Sequence, residues 1–232
     1  MSSQADDFIP FTIQFSQRRR SVALQIRQGE LLVRAPYGFC QTQLKQLIQQ
    51  KRDWINRHIV KTQQQQKKDW ISELSLPVQE QILSLCISRS GKSSTAQTDN
   101  QLLLNVSSRV SEARYPLVVK QLVIDWYRDY AQSWFENCVA RRQKSMQLYP
   151  AVVRIGNWRS RWGYCKANGE VGFNWRLMMA PAWVAEYVVV HELAHLKYMN
   201  HSAAFWNLVE HFTQDYKTAQ KWLSDNAYWM EL

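Results

Sequence analysis

Cysteine is scarce and scattered in this chain of 232 residues: Cys40, Cys86, Cys138 and Cys165 lie far apart and form no C-x-x-C pair. That spacing points to neither a disulfide framework nor a cysteine-ligated zinc site, and it fits a reducing cytoplasm. No apolar run reaches membrane-spanning length, because Glu or Lys interrupts the longest ones. The opening Met1-Ser2-Ser3-Gln4-Ala5-Asp6-Asp7 carries acids and lacks the apolar segment of a secretory signal. The expectation is a soluble protein that stays in the cytoplasm and has no membrane partner. No recognised nucleic-acid-binding motif is present.

What is present bounds the rest. With 46% hydrophobic residues and 11 Trp, the chain has enough apolar material for one large domain, or for a small domain attached to a larger one. The net charge of +10 is uneven: residues 1–72 hold 12 Lys and Arg against 5 acids, a net +7, whereas 73–146 and 147–232 carry +2 and +1. Arg18, Arg19 and Arg20 with Lys51, Arg52 and Arg57 suit a nucleic-acid phosphate backbone or an acidic partner, but a solvated basic face is the plainer reading.

The densest chemistry is His191-Glu192-Leu193-Ala194-His195, followed by His201. On a helix, residues four apart share a face, so His191 and His195 aim at one point while Glu192 turns toward a water held there. With five His and ten Glu in the chain, roughly 0.005 chance matches to H-E-x-x-H are expected. The third ligand is read as His201, with Glu210 as the competing choice from the next helix. To bring His201 back, the chain must turn between Tyr198 and His201. Asn200 is the expected left-handed turning residue, and Ser202 the expected cap of a following helix. His58 and His211 are read as solvated or supporting residues.

Upstream, Pro181 is expected at the first helical position of an apolar helix leading into the motif. Residues 10–16, 21–27 and 31–35 alternate as strands of a small antiparallel sheet, with Gln28-Gly29-Glu30 as a turn. A single helix is expected over 41–61, running into the polar connector Gln63 to Lys68. Strands are expected at 79–88 and 101–106 around a mobile loop, 89–99. Apolar residues then recur with helical spacing from Pro116 to about Met146, predicting a long helix packed along the motif helix. Asn168-Gly169 predicts a two-residue hairpin turn between strands at 161–165 and 170–175. A strand beside the motif helix is suited to take on an extended peptide, which makes Asn174 a candidate substrate contact; ordinary sheet pairing is the plainer use of these residues. The fold class is therefore α+β.

Arg161-Trp162-Gly163-Tyr164-Cys165, Asn174-Trp175-Arg176-Leu177, Ala180-Pro181, the run Tyr187 to Leu196 and Asn200-His201-Ser202-Ala203-Ala204-Phe205-Trp206 together resemble the YgjP-like family of metal-dependent hydrolases. So do Arg20 to Ile26, Val33 to Pro36 and Lys51 to Ile55. The sequence departs from that family's pattern around Leu76 to Gln81 and at Tyr164, where Ser is usual. The resemblance implies a zincin-like fold: small antiparallel sheets, a long packing helix and the metal-site helix. It also implies one Zn²⁺ per chain and hydrolysis of a peptide or protein substrate. Along the chain it gives an N-terminal basic sheet-plus-helix region (1–72), a variable region (73–110) and the catalytic region (111–232), joined as one continuous domain.

In this reading His191, His195 and His201 hold the zinc, and Glu192 takes a proton from the activated water. Arg161, Asn174 and Tyr198 are the candidates, by residue type and rough placement, to bind substrate or stabilise the oxyanion. A rival from another class is a non-catalytic or DNA-associated module whose zinc helix only supports the fold. An intact Glu192 weighs against it, because a structural zinc site is usually closed by a fourth protein ligand.

Overall fold

The computed structural model describes residues 9–27, 30–64, 68–230 and 232. The chain divides into two compact units, 1–67 and 68–232. The proposed turn at Gln28 and Gly29, and the middle of the polar connector, lie outside the described residues.

The first unit has three strands, β1 (Phe11–Ser16), β2 (Ala23–Arg27) and β3 (Glu30–Pro36), and two helices, α1 (Gln41–Gln50) and α2 (Arg52–Gln64). The sheet is mixed rather than antiparallel, in the order β1-β3-β2, with β1 parallel and β2 antiparallel to β3. The reason lies in β3: Leu31, Leu32, Val33 and Ala35 are all buried, and a strand covered on both faces belongs in the middle. Alternation identifies strands but not their partners. Leu31 and Val33 meet Leu44, Ile48 and Ile55 in this unit's core. The single helix expected over 41–61 breaks at Lys51, where no Gly or Pro marks the break.

The second unit opens with β4 (Ser75–Val78), β5 (Gln81–Arg89), β6 (Ser94–Gln97) and β7 (Gln101–Val106), in the sheet order β4-β5-β7-β6. This sheet is mixed too, since β5 and β7 run parallel. The loop expected over 89–99 contains β6, which pairs antiparallel with β7. β6 is exposed along its whole length, so no apolar alternation betrays it. Next comes α3 (Tyr115–Met146), with Pro116 in its first turn. Its 32 residues run through the core of the unit, burying Val119, Val123, Tyr127, Phe135 and Cys138. The Tyr127 hydroxyl donates to the Pro77 carbonyl at 2.6 Å, tying α3 to β4.

The last sheet, β8 (Val152–Gly156), β9 (Gly163–Cys165) and β10 (Glu170–Asn174), is again mixed: β10 is central, parallel to β8 and antiparallel to β9. The β9–β10 turn is not a two-residue hairpin. Gly169 N–H donates to Lys166 O and Lys166 N–H to Glu170 O, both at 2.9 Å, and within this turn only Gly169 has a left-handed φ, +80°. A two-residue turn of type I′ would need Asn168 left-handed as well. A 3-10 turn, Trp175–Met179, leads into α4 (Ala182–His195), α5 (Ala203–Phe212) and α6 (Tyr216–Asn226). One hydrophobic core, reaching from Trp70 to Met230 along the chain, joins the strands of this unit to its helices. No helix among the described residues is long and apolar enough to cross a membrane.

Candidate metal centre

Helix α4 is apolar on nearly all sides, and nine of its residues, from Val184 to Ala194, are buried. A run such as Val188-Val189-Val190 has modest helix propensity, so the helix owes its stability to α3, α5, α6, β9 and β10, all packed around it. Pro181 is its N-cap rather than its first residue, and the Glu80 carboxylate accepts the Ala182 N–H at 2.8 Å. That places an acid at the positive end of the helix.

His191 and His195 lie one turn apart with ring centroids 4.9 Å apart. α4 ends there: Lys197 and Tyr198 N–H both donate to Ala194 O, a tightened last turn. The expected left-handed residue at Asn200 is not used, since positive φ outside glycine occurs only at Leu74, Gln79 and Gln147 among the described residues. Ser202 caps α5, its hydroxyl accepting from Phe205 N–H at 3.4 Å. This turn brings His201 Nε2 to 3.2 Å from His191 Nε2. The donor atoms of His191, His195 and His201 all lie within 4.8 Å of one another. Glu210 and His211 lie exposed on α5, and neither belongs to this group.

The rings are held by aromatic neighbours and by hydrogen bonds. Phe205 packs against all three imidazoles with centroids 4.5–5.0 Å away, and Trp206 stacks on His201 at 5.5 Å. His195 Nδ1 donates to the Tyr198 carbonyl at 2.9 Å, which leaves Nε2 as the free lone pair. Tyr198 therefore acts here through its backbone. The Tyr187 hydroxyl approaches His191 Nδ1 at 3.4 Å in the same supporting role. Burial, reinforced by the neighbouring His195 and His201, pushes the His191 imidazole down to about 3. Burial lowers His195 as well, against the opposing effect of its hydrogen bond to the Tyr198 carbonyl. At neutral pH these two rings are neutral, as a metal ligand must be.

Glu192 is 6% exposed and faces β9. Gly163 makes room for it: a Cβ there would stand 2.6 Å from Glu192 Oε1. Burial pushes the Glu192 carboxyl up to about 8, with Arg161 pulling the other way. The carboxylate shares a cleft of about 380 Å³ with His191, Tyr187, Trp162, Gly163 and, from α6, Gln220. Arg161 is exposed, its guanidinium 4.9 Å from the Tyr164 ring centre. Asn174 is 1% exposed; its amide donates to Trp158 O at 2.8 Å and Arg161 O at 3.2 Å. It lies on central β10, so the open edge of this sheet beside α4 belongs to β9. Sequence reasoning does not reach Gly163, Phe205 and Tyr187 as parts of the site. Gly163 in particular gives no local signal, since the carboxylate that needs its space is about 29 positions further along the chain and only packing brings the two together.

The profile of the YgjP-like, metallopeptidase domain family matches residues 20–226. The chain belongs to the YgjP-like metallopeptidase family. At the family level it is a metal-dependent peptidase, and the family implies a catalytic metal that the three-histidine group is able to hold. No curated protein matches the chain. Among solved structures, the metallopeptidase zymogen of Pyrococcus abyssi abylysin is similar at 22% identity, over 38% of this chain and 91% of that one, with a TM-score of 0.35. So low a score carries no argument. One pair of the donor set already has the spacing a metal imposes: two nitrogens bound tetrahedrally at about 2.0–2.1 Å stand about 3.3 Å apart, close to the 3.2 Å between His191 and His201 Nε2, and the His195 donor atom lies within 4.8 Å of both.

Proposed function

We propose that the protein is a zincin-type peptidase using one Zn²⁺ held by His191, His195 and His201, with Glu192 as general base. The observation that carries this reading is the convergence of three imidazoles whose donor atoms lie within 4.8 Å of one another, one of which, His191, shares a cleft with the buried Glu192 carboxyl. When bound, the ion supplies Lewis acidity, lowering the pKa of a coordinated water from 15.7 toward about 7. Glu192 accepts the proton of the attacking water and returns it to the leaving amine. Its burial favours the protonated form, which suits the second of these transfers. The Tyr198 carbonyl holds the His195 tautomer, and Phe205 fixes the rings in place. The free edge of β9, running past Gly163, aligns an extended peptide substrate.

The test is elemental mass spectrometry on the full chain and on His201→Ala, both prepared without metal-binding tags, followed by a peptide-hydrolysis screen. Near one zinc per chain, sharply reduced in the variant, is expected. Glu192→Gln should keep zinc and lose about 10²–10⁴-fold in hydrolysis. Hydrolysis retained in Glu192→Gln would overturn the general-base role, and a wild-type chain that takes up no metal would overturn the reading as a whole.

A further inference from the structure

Residues 157–162 join β8 to β9 and place Trp158, Arg159, Ser160, Arg161 and Trp162 in succession. A second cavity of about 210 Å³ is lined by those five residues together with Arg176, Ala227 and Met230. Among the described residues its lining includes the arginines Arg159, Arg161 and Arg176 and no acidic side chain, and only the first two stand on the loop. Trp162 lines both this cavity and the cleft of His191 and Glu192, so the two adjoin across one indole.

Some cations of the unit are held by carboxylates and others are not. Arg141 and Arg142 pair with Glu186, and Lys166 pairs with Glu170. Among the described residues, neither Arg159 nor Arg161 has a carboxylate within ion-pair distance. The Arg161 guanidinium instead lies by the rings of Trp158, at 5.5 Å, and Tyr164, at 4.9 Å. Contact with ring faces steadies the plane of a guanidinium and leaves its N–H edge for a planar acceptor. The loop backbone is pinned from within. Besides the two amide hydrogen bonds of Asn174 to Trp158 O and Arg161 O, Asn174 N–H donates to Trp162 O at 2.8 Å. A buried clamp under a cationic loop is a preorganised site, in which little ordering remains to be done on binding.

We propose that this pocket is an anion subsite of the peptidase, which takes a carboxylate of the substrate close to the scissile bond, with Arg159 and Arg161 as specificity-determining residues and Asn174 as a positioning residue. The proposal rests on the peptidase reading. A carboxylate matches the guanidinium fork in a paired, charge-assisted geometry that a neutral amide lacks. It comes either from an acidic side chain within the substrate or from the substrate's C-terminus.

The experiment uses the zinc-loaded full chain and three fluorescent peptides of one length: an end-blocked peptide with an internal Glu, its Gln counterpart, and the Gln peptide with a free C-terminus. Binding is read by anisotropy on Glu192→Gln, and turnover on the protein with Glu192 intact. The expected result is about tenfold tighter binding of one carboxylate-bearing peptide than of the blocked Gln peptide. That preference should shrink with added salt and fall toward unity in Arg159→Gln/Arg161→Gln, whose two side chains are exposed in the native fold. Preference for the internal Glu identifies a side-chain subsite, and preference for the free C-terminus identifies a terminal one. Equal binding of all three peptides, or a preference that survives the double substitution, would overturn the proposal. So would an oligonucleotide that displaces the peptides at lower concentration than the acidic peptide does. Acid-selective binding without turnover would leave the subsite standing and remove the peptidase reading; turnover without selectivity would do the reverse.

Discussion

Glu192→Gln should make the metal-free protein more stable at neutral pH while removing its proposed chemistry. The Glu192 carboxyl is 6% exposed and burial pushes it up from 4.5 to about 8. A carboxyl raised in the fold favours its protonated form there, so its contribution to stability is fully present below pH 4.5. That contribution is lost as pH rises toward 8, because the unfolded chain gives up its proton first. At pH 7 the interval from 4.5 spans about 2.5 units, or about 3 kcal/mol at 1.36 kcal/mol per unit. The neutral amide of Gln escapes this term but still needs hydrogen-bond partners, which brings the net gain to about 1–3 kcal/mol. Thermal melts in chelator should show it as an increase of roughly 2–4 °C per kcal/mol. The difference between the two proteins should be near zero at pH 4.5 and widen steadily up to pH 8. Saturating zinc should shrink it, because a nearby double positive charge favours the carboxylate. A difference that stays flat across this range, or a variant less stable than the parent at pH 7, would refute the electrostatic argument.

Other substitutions test the packing around the site. Gly163→Ala sets a methyl 2.6 Å from Oε1, 2.7 Å from Cγ and 2.9 Å from Cδ of the buried Glu192, so the whole side chain must shift. Hydrolysis should therefore fall at least about tenfold with zinc content retained, and overpacking should cost about 1–3 kcal/mol of stability; unchanged hydrolysis would show that Glu192 does not depend on this space. Phe173→Ala empties the site of a ring that is 0% exposed and stacked on Phe135 at 4.6 Å. A loss of about 3–5 kcal/mol in urea unfolding is expected. Tyr127→Phe, which removes the 2.6 Å hydrogen bond to Pro77 O, should cost about 1–3 kcal/mol by the same assay. Iodoacetamide at about pH 8 should modify the exposed Cys40 readily and leave Cys138 intact, since burial pushes the Cys138 thiol up to about 12. Peptide mass spectrometry reads the order, and early modification of Cys138 would contradict its burial.

How much can be read from the chain alone depends on the distance over which each feature is decided. The pair His191 and His195 with Glu192 is legible because it is set by one helical turn. The long helix is legible too, since its apolar spacing continues over 32 residues. Sheet pairing is not. Strands β1, β5 and β8 each pair parallel with a strand that is not their neighbour in sequence, and no local pattern encodes that choice. β6 leaves no trace in the pattern because all four of its residues are exposed.

The same division runs through the site. Residue types and spacing determined the two candidate ligands on the helix, the candidate third ligand and the candidate base, because a helix converts spacing of four into proximity. Tertiary structure alone decided that Gly163 gives Glu192 its space, that Phe205 backs all three imidazoles, and that Asn174 is buried beneath the 157–162 loop. It also decided that the arginines of that loop line a cavity sharing Trp162 with the cleft of His191 and Glu192. Each of these joins residues from different elements, and contacts of that kind are set by how sheets and helices pack, which the order of residues along one element does not record.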